Sequence, residues 1–363
     1  MKTKSIYIHI PFCETICSYC DFCKVLYQSK WVDQYLEALD KEIKARYQQE
    51  IIDTIYIGGG TPSSLTLEQL AKLFEITNQF HKSKQLEFTI ECNIEHITEE
   101  KLRLFKKAGI NRISYGVQTF HTKYLKYLNR HHTKDEVLAK IELTKHYIPN
   151  INVDLMYAFQ KETVEEVKED IELFLQLDIP HISTYSLIIE PHTVLGIKEQ
   201  YIDDTLDATM YEIICHTLKQ HGFLHYEVSN FCKPEYQSKH NLTYWNNGHY
   251  YGFGMGASGY INHVRYTNTR SINHYLSLDY DYQKEELTQQ VEMENELILG
   301  LRKLQGVSIT NFYQKYQKQV EEVFDIASLV KKGLLEVQEG YIRIPENKIY
   351  LSNEVLIHFI GDV

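Results

Sequence analysis

Ile6-Tyr-Ile-His-Ile-Pro-Phe-Cys13-Glu-Thr-Ile-Cys17-Ser-Tyr-Cys20-Asp-Phe-Cys23 carries an apolar, strand-like run straight into a loop of thiols. Four of the seven cysteines lie within these eleven residues, Cys13 to Cys23. Thiolates packed this densely form disulfides, bind a metal ion, or hold an iron–sulfur cluster. Structural zinc usually draws its ligands from two separated pairs, and Cys92, Cys215 and Cys232 are isolated. A disulfide framework suits a short secreted chain, and the start, Met-Lys-Thr-Lys, leads into alternation rather than an apolar signal core. An iron–sulfur cluster is the favoured reading and zinc the alternative. The spacing C-x3-C-x2-C offers three ligands, so a four-iron cubane would keep one iron open.

Outward from this stretch, short β-rich runs alternate with amphipathic segments, the pattern of parallel βα units. Strands are expected at Ile6–Ile10, Thr54–Gly58, Glu87–Glu91, Arg112–Val117, Asn152–Tyr157 and His181–Leu187. Thr66 with Gln69, Thr133 with Glu136, and Thr163 with Glu166 each fit a capping box at a helix start. Gly109 is a plausible helix stop. Six units make a partial (β/α)6 barrel, an α/β fold whose chemistry belongs at the C-terminal ends of the strands. The cysteine loop follows the first strand, Gly58-Gly59-Gly60-Thr61-Pro62 the second, Glu91 ends the third and Gln118 follows the fourth. Asp154 lies on the fifth. These residues fall at one end of successive strands, as a shared site requires.

Composition bounds the rest. Apolar residues at 43% and charged residues at 24% suit a globular chain with a sizeable core. No apolar run approaches the roughly 18 residues of a membrane span, so the protein is expected not to cross a membrane. The formal net charge of −11 argues against nonspecific nucleic-acid binding. A soluble cytoplasmic protein is expected, and the sequence does not reveal its oligomeric state. Residues 1–230 read as the barrel, 231–288 as a connecting segment and 289–363 as a small helical, winged-helix-like α+β domain, either a cover for the barrel opening or a docking surface.

The motifs resemble the radical S-adenosylmethionine (SAM) superfamily, and within it the oxygen-independent coproporphyrinogen III oxidase group and its close relative, the HemW heme-chaperone family. The resemblance runs nearly end to end. It is carried by Tyr7-Ile-His-Ile-Pro-Phe-Cys13, Cys17-Ser-Tyr-Cys20-Asp-Phe, Ile57-Gly-Gly-Gly-Thr-Pro62, Glu91-Cys-Asn93 and Arg112-Ile-Ser-Tyr-Gly-Val-Gln118. Arg130-His131, Asp154-Leu-Met-Tyr157, Tyr226-Glu-Val-Ser-Asn230 and His240-Asn-Leu-Thr-Tyr-Trp245 continue it.

The resemblance implies that Cys13, Cys17 and Cys20 bind three irons of a [4Fe–4S] cluster, with SAM on the fourth. It implies SAM contacts from Tyr7, Gly59, Gly60, Thr61, Glu91, Gln118, Arg130 and Asp154. The chain departs from the family pattern at Ile94, where proline is usual, and at Ala158-Phe159-Gln160-Lys161, where Gly-Leu-Pro-Gly is usual. Phe22 stands where the oxidase has its fourth cysteine, and Cys23 is one place further on. Gly252-x-Gly254-x-Gly256 looks like a tight turn over the barrel mouth rather than a dinucleotide loop, because no amphipathic helix follows it.

Two functions compete on this scaffold. One is a heme carrier that delivers heme to acceptor hemoproteins, such as membrane-bound respiratory enzymes. The other is radical decarboxylation of coproporphyrinogen III. The misplaced fourth cysteine, a start close to the first strand, and His240-Asn-x-x-Tyr244-Trp245, with His240 as heme ligand, favour the carrier.

Overall fold

In the computed structural model, which describes residues 3–197 and 204–361, alternation along six parallel strands decides what faces the site. These are β1 (Ser5–Ile10), β2 (Ile51–Gly59), β3 (His81–Cys92), β4 (Arg112–Gln118), β5 (Ile151–Tyr157) and β6 (His181–Ser186). They pair in sequence order with parallel register. Side chains on a strand alternate between its two faces. Ile6, Ile8 and Ile10, like Ile113, Tyr115 and Val117 or Ile151, Val153 and Leu155, are buried in the core shared with the flanking helices. The intervening positions are Tyr7 and His9, Tyr56, Glu91, Arg112 with Ser114, Asn152 with Asp154, and Ser183, and they line a cavity. Barrels of this type usually fill their interior with branched apolar side chains. Here the inward positions are polar.

The helices begin and stop where local chemistry dictates. Thr66–Gln69, Thr133–Glu136 and Thr163–Glu166 each form both hydrogen bonds of a capping box. Gly109 ends the helix Glu99–Ala108 with φ 89°, a left-handed conformation that costs glycine little.

The sheet continues past the six strands on both sides. On one side, β8 (Asn230–Cys232) pairs antiparallel with β6, and β7 (Leu224–Glu227) pairs with β8. On the other, β9 (Tyr250–Phe253) lies parallel to β1 and leads an antiparallel meander of β10 (Ser258–Ile261), β11 (Val264–Asn268) and β12 (Asp281–Glu286). The order β12-β11-β10-β9-β1-β2-β3-β4-β5-β6-β8-β7 makes one 12-stranded sheet, a partial barrel with extended edges. The segment read from sequence as a connection thus supplies four strands of this sheet and most of β8. The glycines between β9 and β10 do form a turn at the barrel rim, with φ 102° at Gly254 and 73° at Gly256. Gly252 and Gly259 lie within the strands, where a Cβ on Gly252 would fall 1.9 Å from the carbonyl oxygen of Ser258.

The C-terminal residues form a three-stranded antiparallel sheet (Val307–Ser308, Tyr341–Arg343, Glu336–Gln338) with the helices Gln289–Gly300, Ile309–Tyr316 and Ile326–Lys331. This is the winged-helix-like plan. It joins the barrel through backbone bonds from Val228 to Arg302 and from Leu304 to Tyr226. Among the described residues, none beyond Arg270 lines the cavity, so the module contributes no part of its wall.

Glu42, on the helix Ser29–Arg46, ties the extension to the barrel. Fully buried, it accepts hydrogen bonds from Arg46 (2.9 Å), Asn268 (2.7 Å), the Gly254 backbone (2.9 Å) and Tyr275 (2.6 Å). Glu42→Leu should lower unfolding stability by about 3–5 kcal/mol, because it strands the buried Gly254 amide and Tyr275 hydroxyl and breaks the ion pair with Arg46. Chemical denaturation checks this, with the exposed Lys41→Ala as control; equal midpoints for the two variants would contradict it.

Candidate functional site

The C-terminal ends of β1 to β6 surround a cavity of about 670 Å³, within the range of roughly 300–1,000 Å³ usual for small-molecule sites. Cys13, Cys17, Cys20 and Cys23 all reach its wall, and the seven cysteines are free. The cysteine loop is pinned at its base by a short parallel pair, Phe12–Cys13 with Val25–Leu26. The Val25 amide donates to Pro11 and the Tyr27 amide to Cys13, both at 2.8 Å. The far side of the loop is anchored too. Ser18 donates through Oγ to the Tyr127 carbonyl at 2.6 Å, and Asn129 Nδ2 donates to the Ile16 carbonyl at 3.0 Å. These bonds fix the loop against the segment that carries Arg130.

The glycines after β2 run alongside the loop. The Gly60 amide donates to the Ile10 carbonyl and the Thr61 amide to the Phe12 carbonyl, both at 2.8 Å. A Cβ on Gly60 would lie 2.8 Å from the Pro11 carbonyl oxygen and 2.9 Å from Cys13 Sγ. Only glycine allows this approach. Thr61 Oγ1 donates to Cys13 Sγ at 3.6 Å. Burial pushes the Cys13 thiol up to about 11, with the Thr61 bond opposing, and burial also raises Cys20. A bound cation supplies the charge that such thiols need to release their protons. Among the described residues, no three His, Cys, Asp or Glu side chains gather tightly enough to hold one metal ion.

Glu91 accepts from Tyr56 Oη at 2.7 Å and from the Gly59 amide at 2.9 Å, so it fixes the glycine run from beneath. Burial pushes its carboxyl up to about 7. Arg130 donates to the Gly116 carbonyl (2.8 Å), Asn93 Oδ1 (3.2 Å) and Tyr19 Oη (3.3 Å), while its Nε is buried without a partner. Gln118 holds φ 73° at a register shift between β4 and β5, and its buried Oε1 also lacks a partner. Asp154 accepts from Asn152 at 2.8 Å, and burial raises its carboxyl. Tyr7 bonds the His9 ring at 2.9 Å. Tyr7, Gly59, Gly60, Thr61, Glu91, Gln118, Arg130 and Asp154 are all on the cavity wall with the cysteines.

His240 is not. Only 1% exposed, it sits below the cavity with Nδ1 bonded to Thr54 Oγ1 and Nε2 to Tyr244 Oη, each at 2.8 Å. Its ring stacks on Tyr56 at 5.1 Å, and burial lowers its pKa to about 3. The neighbouring Asn241 does reach the wall.

The radical SAM superfamily profile matches residues 7–174, and the HemN C-terminal domain profile matches residues 287–351. Heme chaperone HemW of Bacillus subtilis is 41% identical, across 99% of this chain and 100% of its own length. Heme chaperone HemW of Lactococcus lactis is 40% identical, across 99% of this chain and 98% of its own length. The chain belongs to the HemW family. Among solved structures, the radical SAM coproporphyrinogen III oxidase HemN of Escherichia coli superposes with a TM-score of 0.85 over 98% of this chain and 90% of that one. At 21% identity this likeness shows a shared fold. Radical SAM membership implies a [4Fe–4S] cluster and SAM. The wall fits them through its free thiols, a glycine cradle closed to any Cβ, and unpartnered polar atoms on Gln118 and Arg130.

Residues 158–161, where the family's glycines are missing, still adopt left-handed backbone at Ala158 (φ 62°) and Lys161 (φ 65°). Glu162 holds this loop by accepting from the Phe159 amide at 3.0 Å, while Phe159 stacks on Tyr124 at 4.6 Å. Burial pushes the Glu162 carboxyl up to about 8, and its Oε1 lacks a partner. A carboxyl whose folded pKa exceeds its unfolded value binds more protons in the native state. Its stabilising contribution is complete below the unfolded value of 4.5 and is lost as pH rises through about 8. Glu162→Gln should therefore match the wild type in melting temperature near pH 4.5 and exceed it by several degrees at pH 9. Thermal scans across pH test this; parallel curves for the two proteins would refute the assignment.

Proposed function

We propose that this protein is a cytoplasmic heme chaperone, which binds heme and passes it to acceptor hemoproteins, among them membrane-bound respiratory enzymes. Full-length identity of 41% to a relative named as a heme chaperone carries this reading. The cavity supports it with apolar lips at the strand-end rim, where Phe22 and Ile188 are 69% and 70% exposed. A flat, largely apolar ligand with charged edges suits such a mouth, which also carries Lys24 and Arg270. Among the described residues no helix is long and apolar enough to cross a membrane, so an acceptor in a membrane would be met at its surface.

Cys13, Cys17 and Cys20 would hold the cluster, which supplies an open iron position for SAM. Gly59, Gly60 and Thr61 line the approach to it, Glu91 braces Gly59, and Arg130, Gln118 and Asp154 offer a cation, an amide and a carboxylate around the ligand. Arg130 suits a carboxylate, and Asp154 can accept from hydroxyls.

His240 as the iron ligand is compatible with this fold only if Nε2 gives up the Tyr244 hydroxyl or Nδ1 gives up Thr54. Ligation would then be coupled to opening of the helix Lys239–Trp245. Tyr244→Phe frees Nε2 and should tighten heme binding several-fold in a Soret titration; an unchanged affinity assigns the iron to another ligand.

Anaerobically reconstituted protein should take up heme near one equivalent per chain. Offered coproporphyrinogen III with SAM and a reductant, it should leave the porphyrinogen unconverted. Efficient formation of protoporphyrinogen IX with no heme uptake would overturn the chaperone reading in favour of the oxidase.

A further inference from the structure

Every inward polar side chain on the lower turns of β4, β5 and β6 has its hydrogen bonds placed, except one. Asn152 donates to Ser114 Oγ and Asp154 Oδ1, both at 2.8 Å, and accepts from Ser183 at 3.0 Å. His181 bonds Asn152 through Nδ1 at 2.5 Å and Tyr226 through Nε2 at 2.8 Å. Arg112 stands on the same face, 2% exposed, and lines the cavity. Among the described residues its guanidinium has neither a hydrogen-bond nor an ion-pair partner, and Nε is buried outright. Neither carboxylate that faces the cavity from the two neighbouring strands fills this role. Glu91 is engaged by Tyr56 and Gly59, and Asp154 by Asn152.

A fixed cation buried without a partner is destabilising, and native proteins keep one where a ligand completes it. The fork of a guanidinium matches a carboxylate in two parallel bonds. We propose that Arg112 is the floor of the ligand cavity and that it takes a carboxylate of the bound ligand. Arg112 lies on β4, between the strands that carry Glu91 and Asp154, and is not itself among the residues that the family pattern assigns to SAM. Two ligands could bring that carboxylate. A heme propionate rests on the chaperone reading; the methionyl carboxylate of SAM rests on superfamily membership alone.

The test uses the full chain with its cluster reconstituted, in wild-type, Arg112→Met and Arg112→Lys forms. Heme is compared with heme dimethyl ester by Soret titration, and SAM with its decarboxylated form by calorimetry. The wild type should prefer the carboxylate-bearing member of one pair by roughly tenfold or more, the factor expected of a charge-assisted hydrogen bond. Arg112→Met should erase that preference and Arg112→Lys keep part of it. In the ligand-free state Arg112→Met should melt no lower than the wild type, because no hydrogen bond within the protein is lost. A preference that survives Arg112→Met in both pairs, or is absent from the wild type in both, overturns the proposal. So does a Met variant that melts well below the wild type, which would reveal a structural role. If the wild type binds neither heme nor its ester, the chaperone reading fails and the SAM pair alone decides on Arg112.

Discussion

The backbone of Gly60 lies so close to Pro11–Cys13, as that of Gly59 does to the His9 ring, that no side chain fits, and the rest of the site depends on that contact. It forces the second strand's exit and the cysteine loop into one register, with Thr61 at Cys13 Sγ. Glu91 holds the run from below, and the short pair Phe12–Cys13 with Val25–Leu26 closes the loop behind it. Hydrogen bonds from Ser18 and Asn129 then tie the far side of the loop to the segment leading into Arg130. Thiols, glycines and arginine are thereby positioned by one another. A change in any of them moves the others.

The polar interior is the second constraint. Apolar residues face outward to the helices, so the barrel core sits in the helix–strand layer and the inner face is free to be a cavity. Burial then shifts what lines it. Glu91 is raised to about 7 and His9 lowered to about 4, both toward their neutral forms. Such a cavity is electrostatically expensive when empty of ligand and improves when a charged ligand completes it.

Much of this was legible in the sequence because backbone requirements leave marks that side chains cannot imitate. The glycine triplet after a buried strand, the threonine caps and the dense thiols each demand one residue type, and the six strands follow from their alternation. The strands from 250 to 286 were not legible. Their pattern is broken by tyrosines, glycines and charges, and they are stabilised by Glu42, more than 200 residues away along the chain. The surroundings of His240 were hidden for the same reason, since Thr54 and Tyr56 reach it only through the fold. Arg112 could have been found. It begins an alternating strand in phase with Ser114, Gly116 and Gln118, the register that faces the cavity. Cys23 gains a structural explanation, as it packs where a Cβ on Gly256 would fall 2.7 Å from its Sγ, and its carbonyl accepts from His9 at 2.6 Å.

The central claim is that three thiols, Cys13, Cys17 and Cys20, hold the cluster while Cys23 braces the rim. Iron and sulfide analysis after anaerobic reconstitution of Cys13→Ala and Cys23→Ala tests it most directly. The account predicts near-complete loss of iron and sulfide in Cys13→Ala and near wild-type content in Cys23→Ala. Equal loss in the two variants would contradict it.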